Sequence, residues 1–201
     1  MRLWFLTFPL LYLIGSIPFS FIIVRLVSGK DLRTIGSGNV GATNAFRAIG
    51  VFWGVISLLL DALKSAGPLL LLRAFPDLLP PFLDINDSLV ICGAVLVLGH
   101  VFSIFLSFKG GKGVATTLGV MVVLFPFQVM LAFVVFAILF AIFHIVSLAS
   151  ILGAITVFVQ TFLFPFTFGQ KIFLILISLF IILKHRANIV RLVKRQEKKL
   201  F

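Results

Sequence analysis

Two short glycine-rich segments flanked by cations contain most of the residues of this chain that could do chemistry. The first runs from Gly36 to Arg47 and reads GSGNVGATNAFR, and the second runs from Lys109 to Gly113 and reads KGGKG. Glycine lets backbone N–H groups approach a ligand closely, and a nearby Lys or Arg adds positive charge. This combination is typical of phosphate binding. The sequence therefore predicts two binding sites for anions.

The first segment combines a bidentate cation with small polar side chains. The guanidinium of Arg47 can hold a phosphate through two parallel hydrogen bonds. Gly38 and Gly41 leave the backbone accessible to a ligand. The polar side chains of the segment supply further donors: Ser37, Asn39, Thr43 and Asn44.

The second segment places its glycines just before a helix that is predicted to begin at Val114. It consists of Lys109, Gly110, Gly111, Lys112 and Gly113. The first turn of a helix has unpaired N–H groups and the positive end of the helix dipole, so an anion is favoured there. The segment lacks the Gly-x4-Gly-Lys-Ser/Thr spacing of a nucleotide-binding P-loop. The alternative to an anion site is a tight turn whose lysines set membrane topology.

The elements that must position these segments are membrane helices. The chain of 201 residues is 61% hydrophobic and only 11% charged, whereas soluble domains have about 25% charged residues. Apolar runs such as 3–24, 88–108 and 127–143 reach or approach the roughly 20 residues needed to cross a bilayer. The expected fold class is an all-α integral membrane protein.

The net charge of +11 does not indicate a nucleic-acid-binding protein, because the cations stand in short clusters beside apolar runs. There they set membrane orientation and attract anionic headgroups or phosphorylated substrates. By the positive-inside rule, both glycine-rich segments and the basic tail after Lys184 lie in the cytoplasm. Cys92, the only cysteine, stands in an apolar run, which excludes disulfides and cysteine metal sites.

Counting crossings from this orientation predicts a seven-transmembrane-helix bundle, a single membrane domain over residues 1–201, with its N-terminus outside and its C-terminus cytoplasmic. Between Lys112 and Lys184 the number of crossings must be even, and two would need helices of about 35 residues, too long for a bilayer core. The run 114–125 is only about half a span, so it is short, tilted or partly re-entrant. The expected helices cover about 3–25, 51–74, 88–108, 113–125, 127–145, 149–165 and 170–186.

Asp61 and Lys64 are ionisable residues inside the second apolar run, and their spacing places them on nearly the same helix face. Ionisable groups at membrane depth are costly and normally face the bundle interior or a polar cavity. Two interpretations stay open. The residues form a structural ion pair that neutralises itself, or Lys64 contributes to an anion site.

No metal site and no familiar acyltransferase dyad is predicted. The three histidines, His100, His144 and His185, have no partner at metal-ligand spacing, and acids are scarce. No histidine is followed by aspartate at the spacing His-x4-Asp, and no Gly-x-Ser-x-Gly nucleophile elbow occurs. Any acyl chemistry here would therefore not use a recognisable serine–histidine pair.

Three separated motifs, in order along nearly the whole chain, resemble those of the bacterial acyl-phosphate:glycerol-3-phosphate acyltransferase family, PlsY. They are the first segment with Arg47; then Gly99-His100 with 108–116; then His185-Arg186 with Asn188-Ile189 and Arg191-Leu192. The stretch from Asp61 to Lys64 also resembles the family's second helix. One departure is Arg195, where the family usually has a glycine before the late Glu197.

The resemblance implies an enzyme, without a cofactor, that transfers a fatty acyl group from acyl phosphate to the 1-hydroxyl of glycerol 3-phosphate. The products are lysophosphatidic acid and phosphate, in the first acylation step of bacterial phospholipid synthesis. Neither acyl-CoA nor acyl carrier protein is the direct donor. The expected location is the bacterial cytoplasmic (inner) membrane among its lipids, with the active site facing the cytoplasm. A monomer without a nucleic-acid partner is expected.

Given the resemblance, we assign roles to individual residues. The expected catalytic residues, acting chiefly on glycerol 3-phosphate, are Arg47, Lys112, His185 and Asn188. The acyl-phosphate head is assigned to the 37–41 backbone, Asn39 and the 110–113 loop. Further expected substrate-binding residues are Gly38, Thr43, Asn44, Lys64, Lys109, Ser147 and Ser150, although the two serines can also be ordinary helix-end caps. The proton acceptor is either His185 or an oxygen of acyl phosphate itself.

Two other functions stay open at this stage. A transporter or channel for a phosphorylated solute would also use anion-binding helix ends. It would need a polar path through the bilayer, and apart from Asp61 and Lys64 the helices offer little to line one. A non-catalytic lipid-binding scaffold leaves the glycine-rich segments unexplained.

Overall fold

The computed structural model describes residues 4–200, and within this range the regular structure is helical, with no β-strand. The chain divides into two compact units, the first ending at Leu124 and the second beginning at Phe125. The first unit contains α1 (Trp4–Ser16), α2 (Phe19–Ser28), α3 (Ala42–Ile49), α4 (Val51–Ala74), α5 (Ile85–Val101) and α6 (Val114–Leu124). The second contains α7 (Pro126–Phe143), α8 (Val146–Leu163), α9 (Phe168–Lys184) and α10 (Arg186–Val193). The single membrane domain expected from the sequence stays a prediction.

Five segments of the described chain are long and apolar enough to cross a membrane: Trp4–Ser28, Val51–Ala74, Ile85–Leu106, Pro126–Phe143 and Val146–Leu163. A sixth is counted if α9 and α10, which meet at a bend of 57°, form one span. Helix α6 has 11 residues, about half of the length that a bilayer requires. The protein therefore has an all-α integral membrane fold with five or six candidate spans.

A break interrupts the first predicted helix. The sequence predicts one helix over 3–25, of which Leu3 lies outside the described residues, whereas α1 ends at Ser16 and α2 begins at Phe19. Pro18 causes the break, because proline has no backbone N–H and disfavours a helical conformation in the residue before it. The carbonyls of Ser16 and Ile17 then accept hydrogen bonds from the Ser103 hydroxyl and the Lys64 ammonium, each at 2.6 Å.

The other predicted helices are present with small shifts, and two short helices were not predicted. Helix α4 has the predicted bounds, 51–74. Helix α5 begins three residues early, at Ile85, because the Asp84 carboxylate caps it by accepting the Asn86 N–H at 2.8 Å. Helices α3 and α10 have eight residues each and mixed polarity, so they have no apolar run that would indicate them.

Glycines allow close helix crossings in the first unit. A Cβ at Gly15 would overlap the backbone of α5, and one at Gly99 would overlap the Tyr12 carbonyl in α1. At this crossing the Tyr12 hydroxyl donates to the Phe102 carbonyl at 2.6 Å and the Ser16 hydroxyl to the Gly99 carbonyl at 3.2 Å. Small residues that bring backbones together are typical of membrane helix packing.

In the second unit, α8 packs against both α7 and α9. The Gln160 amide of α8 donates to the Gln128 carbonyl of α7 at 3.2 Å. Phe125 stacks on Phe173 of α9. The tail also returns to this unit, since the Leu200 N–H donates to the carbonyl of His144, at the end of α7, at 2.8 Å.

Candidate active site

The first glycine-rich segment is built around the side chain of Asn44, which is 1% exposed. Its Nδ2 donates to the carbonyls of Leu32 and Ile35 at 3.1 and 2.9 Å, and its Oδ1 accepts the Ser37 N–H at 3.1 Å. Both N–H donors of the amide are thus used within the protein. Asn44, expected from the sequence to be a donor to a ligand, holds the shape of the segment in this geometry.

Left-handed glycines complete this shape. Gly36 and Gly38 have φ angles of 57° and 69°, a region that favours glycine. A Cβ at Gly36 would also overlap Oδ1 of Asn44. Ser37 stands exposed between these glycines, and Asn39 and Thr43 are half-buried. The segment is therefore an ordered turn that exposes small polar groups.

An apolar cluster ties the two glycine-rich segments together within the first unit. Leu106 belongs to the turn directly before the second segment, so it links that turn to the first segment and to α2. The buried members of the cluster are Val24, Leu32, Val40, Ala45 and Leu106. The relative position of the two segments is therefore fixed by packing.

Arg47 lies half-buried in the last turn of α3, which begins after the extended residue Gly41. A second guanidinium nearby in sequence, Arg33, is paired with Asp31 at 2.6 Å. This hydrogen bond holds the pKa of Asp31 at about 2, so the carboxylate stays charged at neutral pH and offsets Arg33. The bidentate role predicted for Arg47 from the sequence stays a prediction.

The second segment folds back on the end of α5. Ser107 and Phe108 precede it with left-handed φ angles of 51° and 61°, which are strained for residues with side chains. The Gly110 N–H donates to the Val101 carbonyl at 3.0 Å, and the Gly111 N–H donates to the His100 carbonyl at 3.3 Å. The chain thereby reverses direction over Lys109 and enters α6 after Lys112, which is half-buried.

The first turn of α6 contains two buried hydroxyls without a partner. Thr116 and Thr117 are 0% and 6% exposed, and neither Oγ1 has a hydrogen-bond partner in the described part of the chain. Gly113, with φ of 86°, leads directly into this turn, whose N–H groups include those that a helix start leaves unpaired. Unpaired buried polar groups beside a helix N-terminus favour a polar, anionic ligand at this place.

A buried polar cluster lies at the break between α1 and α2. The Lys64 ammonium is within 2.7 Å of Asp61 Oδ1, 2.9 Å of His100 Nδ1 and 2.6 Å of the Ile17 carbonyl. The Ser20 hydroxyl donates to the other carboxylate oxygen of Asp61 at 2.9 Å. The side chains of Asp61 and Lys64 are 1% and 2% exposed, so of the two interpretations left open by the sequence this geometry favours the structural ion pair.

In the second unit Glu197 gathers three side chains. Its carboxylate accepts hydrogen bonds from Ser147 Oγ at 2.8 Å, Asn188 Nδ2 at 2.5 Å and Arg191 Nε at 2.5 Å. Burial alone would raise the pKa of Glu197, but these hydrogen bonds outweigh burial, and the pKa lies below the ordinary value for glutamate. Glu197 therefore orders Asn188 and Ser147, two of the residues predicted from the sequence. Ser150 is buried in the first turns of the same helix as Ser147, α8.

His185 stands at the bend between α9 and α10 and is 3% exposed. Its Nδ1 is 2.7 Å from the Ile181 carbonyl. Since a carbonyl can only accept, Nδ1 carries the proton of this hydrogen bond. In the neutral ring Nε2 then carries no proton, and an unprotonated imidazole nitrogen is the form that a general base requires.

The first unit thus contains Arg47, Lys109 and Lys112, and the second contains His185 and Asn188. Sequence reasoning gave no role to His100, which contacts Lys64, or to Glu197. Glu197 is the only glutamate of the chain and stands in a strongly basic tail. A single acid among many cations could have indicated that Glu197 has a specific partner. The contacts of His100 join residues 36 positions apart, which no local pattern indicates.

Comparison with known proteins gives one consistent result. The sequence profile of the glycerol-3-phosphate acyltransferase family matches residues 5–195. Glycerol-3-phosphate acyltransferase 2 of Bacillus anthracis is 41% identical over 198 residues, which cover 97% of this chain and 98% of the relative. The glycerol-3-phosphate acyltransferase of Endomicrobium trichonymphae is 42% identical and covers 94% of this chain and 92% of its own.

Two solved structures have the same fold. The first is PlsY, an integral membrane glycerol 3-phosphate acyltransferase, in its glycerol 3-phosphate form, with a TM-score of 0.87 and 39% identity. The second is the lysophosphatidic acid form, with a TM-score of 0.82 and 37% identity. Each alignment covers 98% of this chain and 94% of the known structure. The resemblance drawn from the three motifs is therefore confirmed, and the chain belongs to the glycerol-3-phosphate acyltransferase family.

Proposed function

We propose that this protein transfers a fatty acyl group from acyl phosphate to the 1-hydroxyl of glycerol 3-phosphate, giving lysophosphatidic acid and phosphate. Membership in the family supports the acceptor. The observation that carries the proposal is the pair of ordered, cation-bearing glycine segments held together within the first unit, because two phosphorylated substrates need two such sites.

The chemistry suits a site without a protein nucleophile. Acyl phosphate is a mixed anhydride with phosphate as a good leaving group. The hydroxyl oxygen of glycerol 3-phosphate attacks the acyl carbon, its proton goes to a base, and the bond from the acyl carbon to the phosphate oxygen breaks. The enzyme must hold two anions together and stabilise the charge that develops on the acyl oxygen and the leaving phosphate. Cations and N–H donors do this work.

Roles follow from the chemistry of the individual groups. Arg47, Lys112, His185 and Asn188 act chiefly on glycerol 3-phosphate. The 37–41 backbone, Asn39 and the glycines of the second segment hold the acyl-phosphate head, with the unpaired hydroxyls of Thr116 and Thr117 in the adjoining helix turn. Ser147, Ser150, Thr43 and Lys109 assist. Asn44 supports the first segment rather than the ligand.

Two groups can take the proton of the acceptor hydroxyl, Nε2 of His185 and an oxygen of acyl phosphate itself. Replacing His185 with Gln distinguishes them, because Gln keeps a polar side chain but cannot accept a proton. If His185 is the base, kcat falls by about a hundredfold or more and the acidic limb of the pH profile is lost. If the substrate is the base, the acidic limb persists.

The membrane arrangement proposed for this function has seven crossings, counting α6 as the fourth, with the N-terminus outside and the C-terminus in the cytoplasm. It places both glycine-rich segments at the cytoplasmic face of the inner membrane, where phosphorylated substrates are available. The protein acts as a monomer. The distribution of Lys and Arg beside the apolar runs supports this orientation.

The proposal is tested with purified protein, acyl phosphate and labelled glycerol 3-phosphate. Equal release of phosphate and formation of labelled lysophosphatidic acid are expected. Phosphate release without acyl transfer, or uptake of labelled glycerol 3-phosphate into vesicles without reaction, would contradict it. Acyl-CoA in place of acyl phosphate should give no product.

Arg47 provides a matched pair of variants. Arg47→Ala should lower kcat/KM by at least about a thousandfold, because a charged bidentate contact to phosphate is lost. Arg47→Lys should recover only part of the activity, because Lys retains the charge without the planar fork. Both variants should insert and unfold like the parent protein. Activity of Arg47→Lys equal to that of the parent would exclude the bidentate role.

A further inference from the structure

Lys64 has no N–H left for a ligand. An ammonium has three hydrogens and no lone pair. In this protein the hydrogens are directed to the Ile17 carbonyl, Asp61 Oδ1 and His100 Nδ1, at 2.6, 2.7 and 2.9 Å. The side chain is 2% exposed. Whatever Lys64 contributes to the reaction, it contributes through these partners.

The contact with Lys64 fixes the tautomer of His100. Because the ammonium can only donate, Nδ1 of His100 must be the unprotonated nitrogen, and the neutral ring carries its proton on Nε2. Asp61 faces the same edge of the ring, with Oδ1 at 3.7 Å from Nδ1, and is itself held by Ser20. The orientation of the imidazole is thus set by the buried ion pair of Asp61 and Lys64.

The opposite edge of the imidazole lies against the second glycine-rich segment. A Cβ at Gly111 would overlap Nε2 of His100, so the ring occupies the space beside this glycine. The backbone is joined to the same residue, since the Gly111 N–H donates to the His100 carbonyl at 3.3 Å. Gly110 is also held close, and a Cβ there would overlap the His100 carbonyl oxygen.

We propose that the buried cluster of Ser20, Asp61, Lys64 and His100 positions the 109–113 loop. Lys64 orients the His100 ring, and the ring supports Gly111 so that the loop keeps the conformation in which it binds phosphate. Lys64 and His100 are positioning residues in this account. The identity of the bound group rests on the proposed function, whereas the support of the loop does not.

Hydrogen exchange of the loop tests the support directly and needs no substrate. Asp61→Leu and Lys64→Met are introduced together, because removing Lys64 alone would leave a buried carboxylate unpaired. Exchange in peptides covering 107–115 should rise by about tenfold, while peptides of α7 to α9 exchange as in the parent protein. Unchanged exchange in the loop of a folded double variant would overturn the proposal.

Kinetics of the same variant separate positioning from a general structural role. The KM for acyl phosphate should rise by about tenfold, because the loop is assigned to its head, and the KM for glycerol 3-phosphate should change by less than about twofold. Equal loss for both substrates with normal loop exchange would overturn the proposal. If the parent protein transfers no acyl group, the proposed function fails while the exchange result still decides whether the cluster supports the loop.

A second pair of variants keeps the test independent of the ion pair. Gly111→Ala adds a methyl group against the His100 side chain, so His100→Ala should make room for it. In loop hydrogen exchange and in the KM for acyl phosphate, the double variant should be no worse than His100→Ala alone. Gly110→Ala is the control, because its methyl group meets a backbone carbonyl that His100→Ala retains, and its effect should add to that of His100→Ala. If the effects of Gly111→Ala and His100→Ala simply added, the ring would not support the loop.

Discussion

Arg195, the second residue after the end of α10, adopts a left-handed conformation with φ of 55°. The Gln196 N–H donates to the Arg191 carbonyl at 2.7 Å, and the Arg195 N–H donates to the Leu192 carbonyl at 3.0 Å. This is the Schellman pattern of helix ends, in which glycine normally takes the position that Arg195 holds. The pattern turns the chain so that Glu197 reaches Asn188. Glycine, which the resemblance noted from the sequence implies at this position, would adopt this conformation without strain.

At this position glycine should stabilise the protein. Arg195→Gly removes left-handed strain and should raise the free energy of unfolding by about 0.5–1 kcal/mol. Lys194→Gly is the matched control one residue earlier, at φ of −81°, where glycine should instead cost about 0.5–1 kcal/mol. Thermal unfolding in detergent measures both variants. A lower stability for Arg195→Gly would contradict this account.

Glu197 should make stability depend on pH. Because its folded pKa is lowered, the carboxylate contributes its full stabilisation above the ordinary glutamate pKa of about 4.3 and loses it as the pH falls through the folded pKa. Glu197→Gln should cost about 1–3 kcal/mol at pH 7 and flatten this acid dependence. Asp77→Asn serves as control, because Asp77 is exposed on the short turn 76–78 and its charge is screened by solvent. The free energy of unfolding is measured from pH 3 to 7. The same pH dependence in both variants would refute the role given to Glu197.

At the scale of elements, glycines decide how closely the helices of the first unit approach. Gly119 of α6 faces α4, where a Cβ would overlap the Ala62 carbonyl and Ser65 Oγ. The Ser65 hydroxyl in turn donates to the Thr116 carbonyl at 2.7 Å, so the crossing also fixes the first turn of α6. Close packing of α4 and α6 therefore extends to the site.

Adding a methyl group at this crossing should be destabilising. Gly119→Ala should cost about 1–3 kcal/mol, because backbone on both sides must move. Gly153→Ala in α8 is the control, since its Cβ would lie at 3.6 Å from the Ala132 carbonyl, an ordinary contact, and Ala favours a helix by up to about 1 kcal/mol. Unfolding temperatures of the two variants in detergent give the comparison. Equal temperatures would show that α4 and α6 can separate without cost.

At the scale of the whole molecule, the proposed orientation can be tested by cysteine labelling. Cys92 is buried, and Cys92→Ser provides a background without thiols. Single cysteines at the exposed positions Lys30, Asp77 and Lys194 then report their sides of the membrane. With an impermeant maleimide on intact cells, Asp77→Cys should react, and Lys30→Cys and Lys194→Cys should react only after permeabilisation. Labelling of all three from one side would contradict the odd number of crossings between Lys30 and Asp77.

The membrane class, most helices and the family could be predicted from the sequence because each depends on a local pattern. Helix α4 is a long apolar run, and the glycine-rich segments can be recognised from their composition. The break at Pro18 was missed, although proline is a visible signal, because the apolar run continues across it. The contacts of Lys64 with Ile17 and His100, and of Glu197 with Ser147, could not be predicted, since they join residues that only the tertiary fold brings together.

The helix break before α2 has a consequence for biogenesis. The carbonyls of Ile17 and Ser16 receive their partners from residues 64 and 103, which leave the ribosome much later than the first helix. Until then these carbonyls must stay hydrated, because bare carbonyls in the hydrocarbon core are costly. The first span should therefore remain near the translocon or a wet interface until α4 and α5 arrive. We therefore expect maturation to be limited by the packing of α4 and α5 against this break rather than by the insertion of α1.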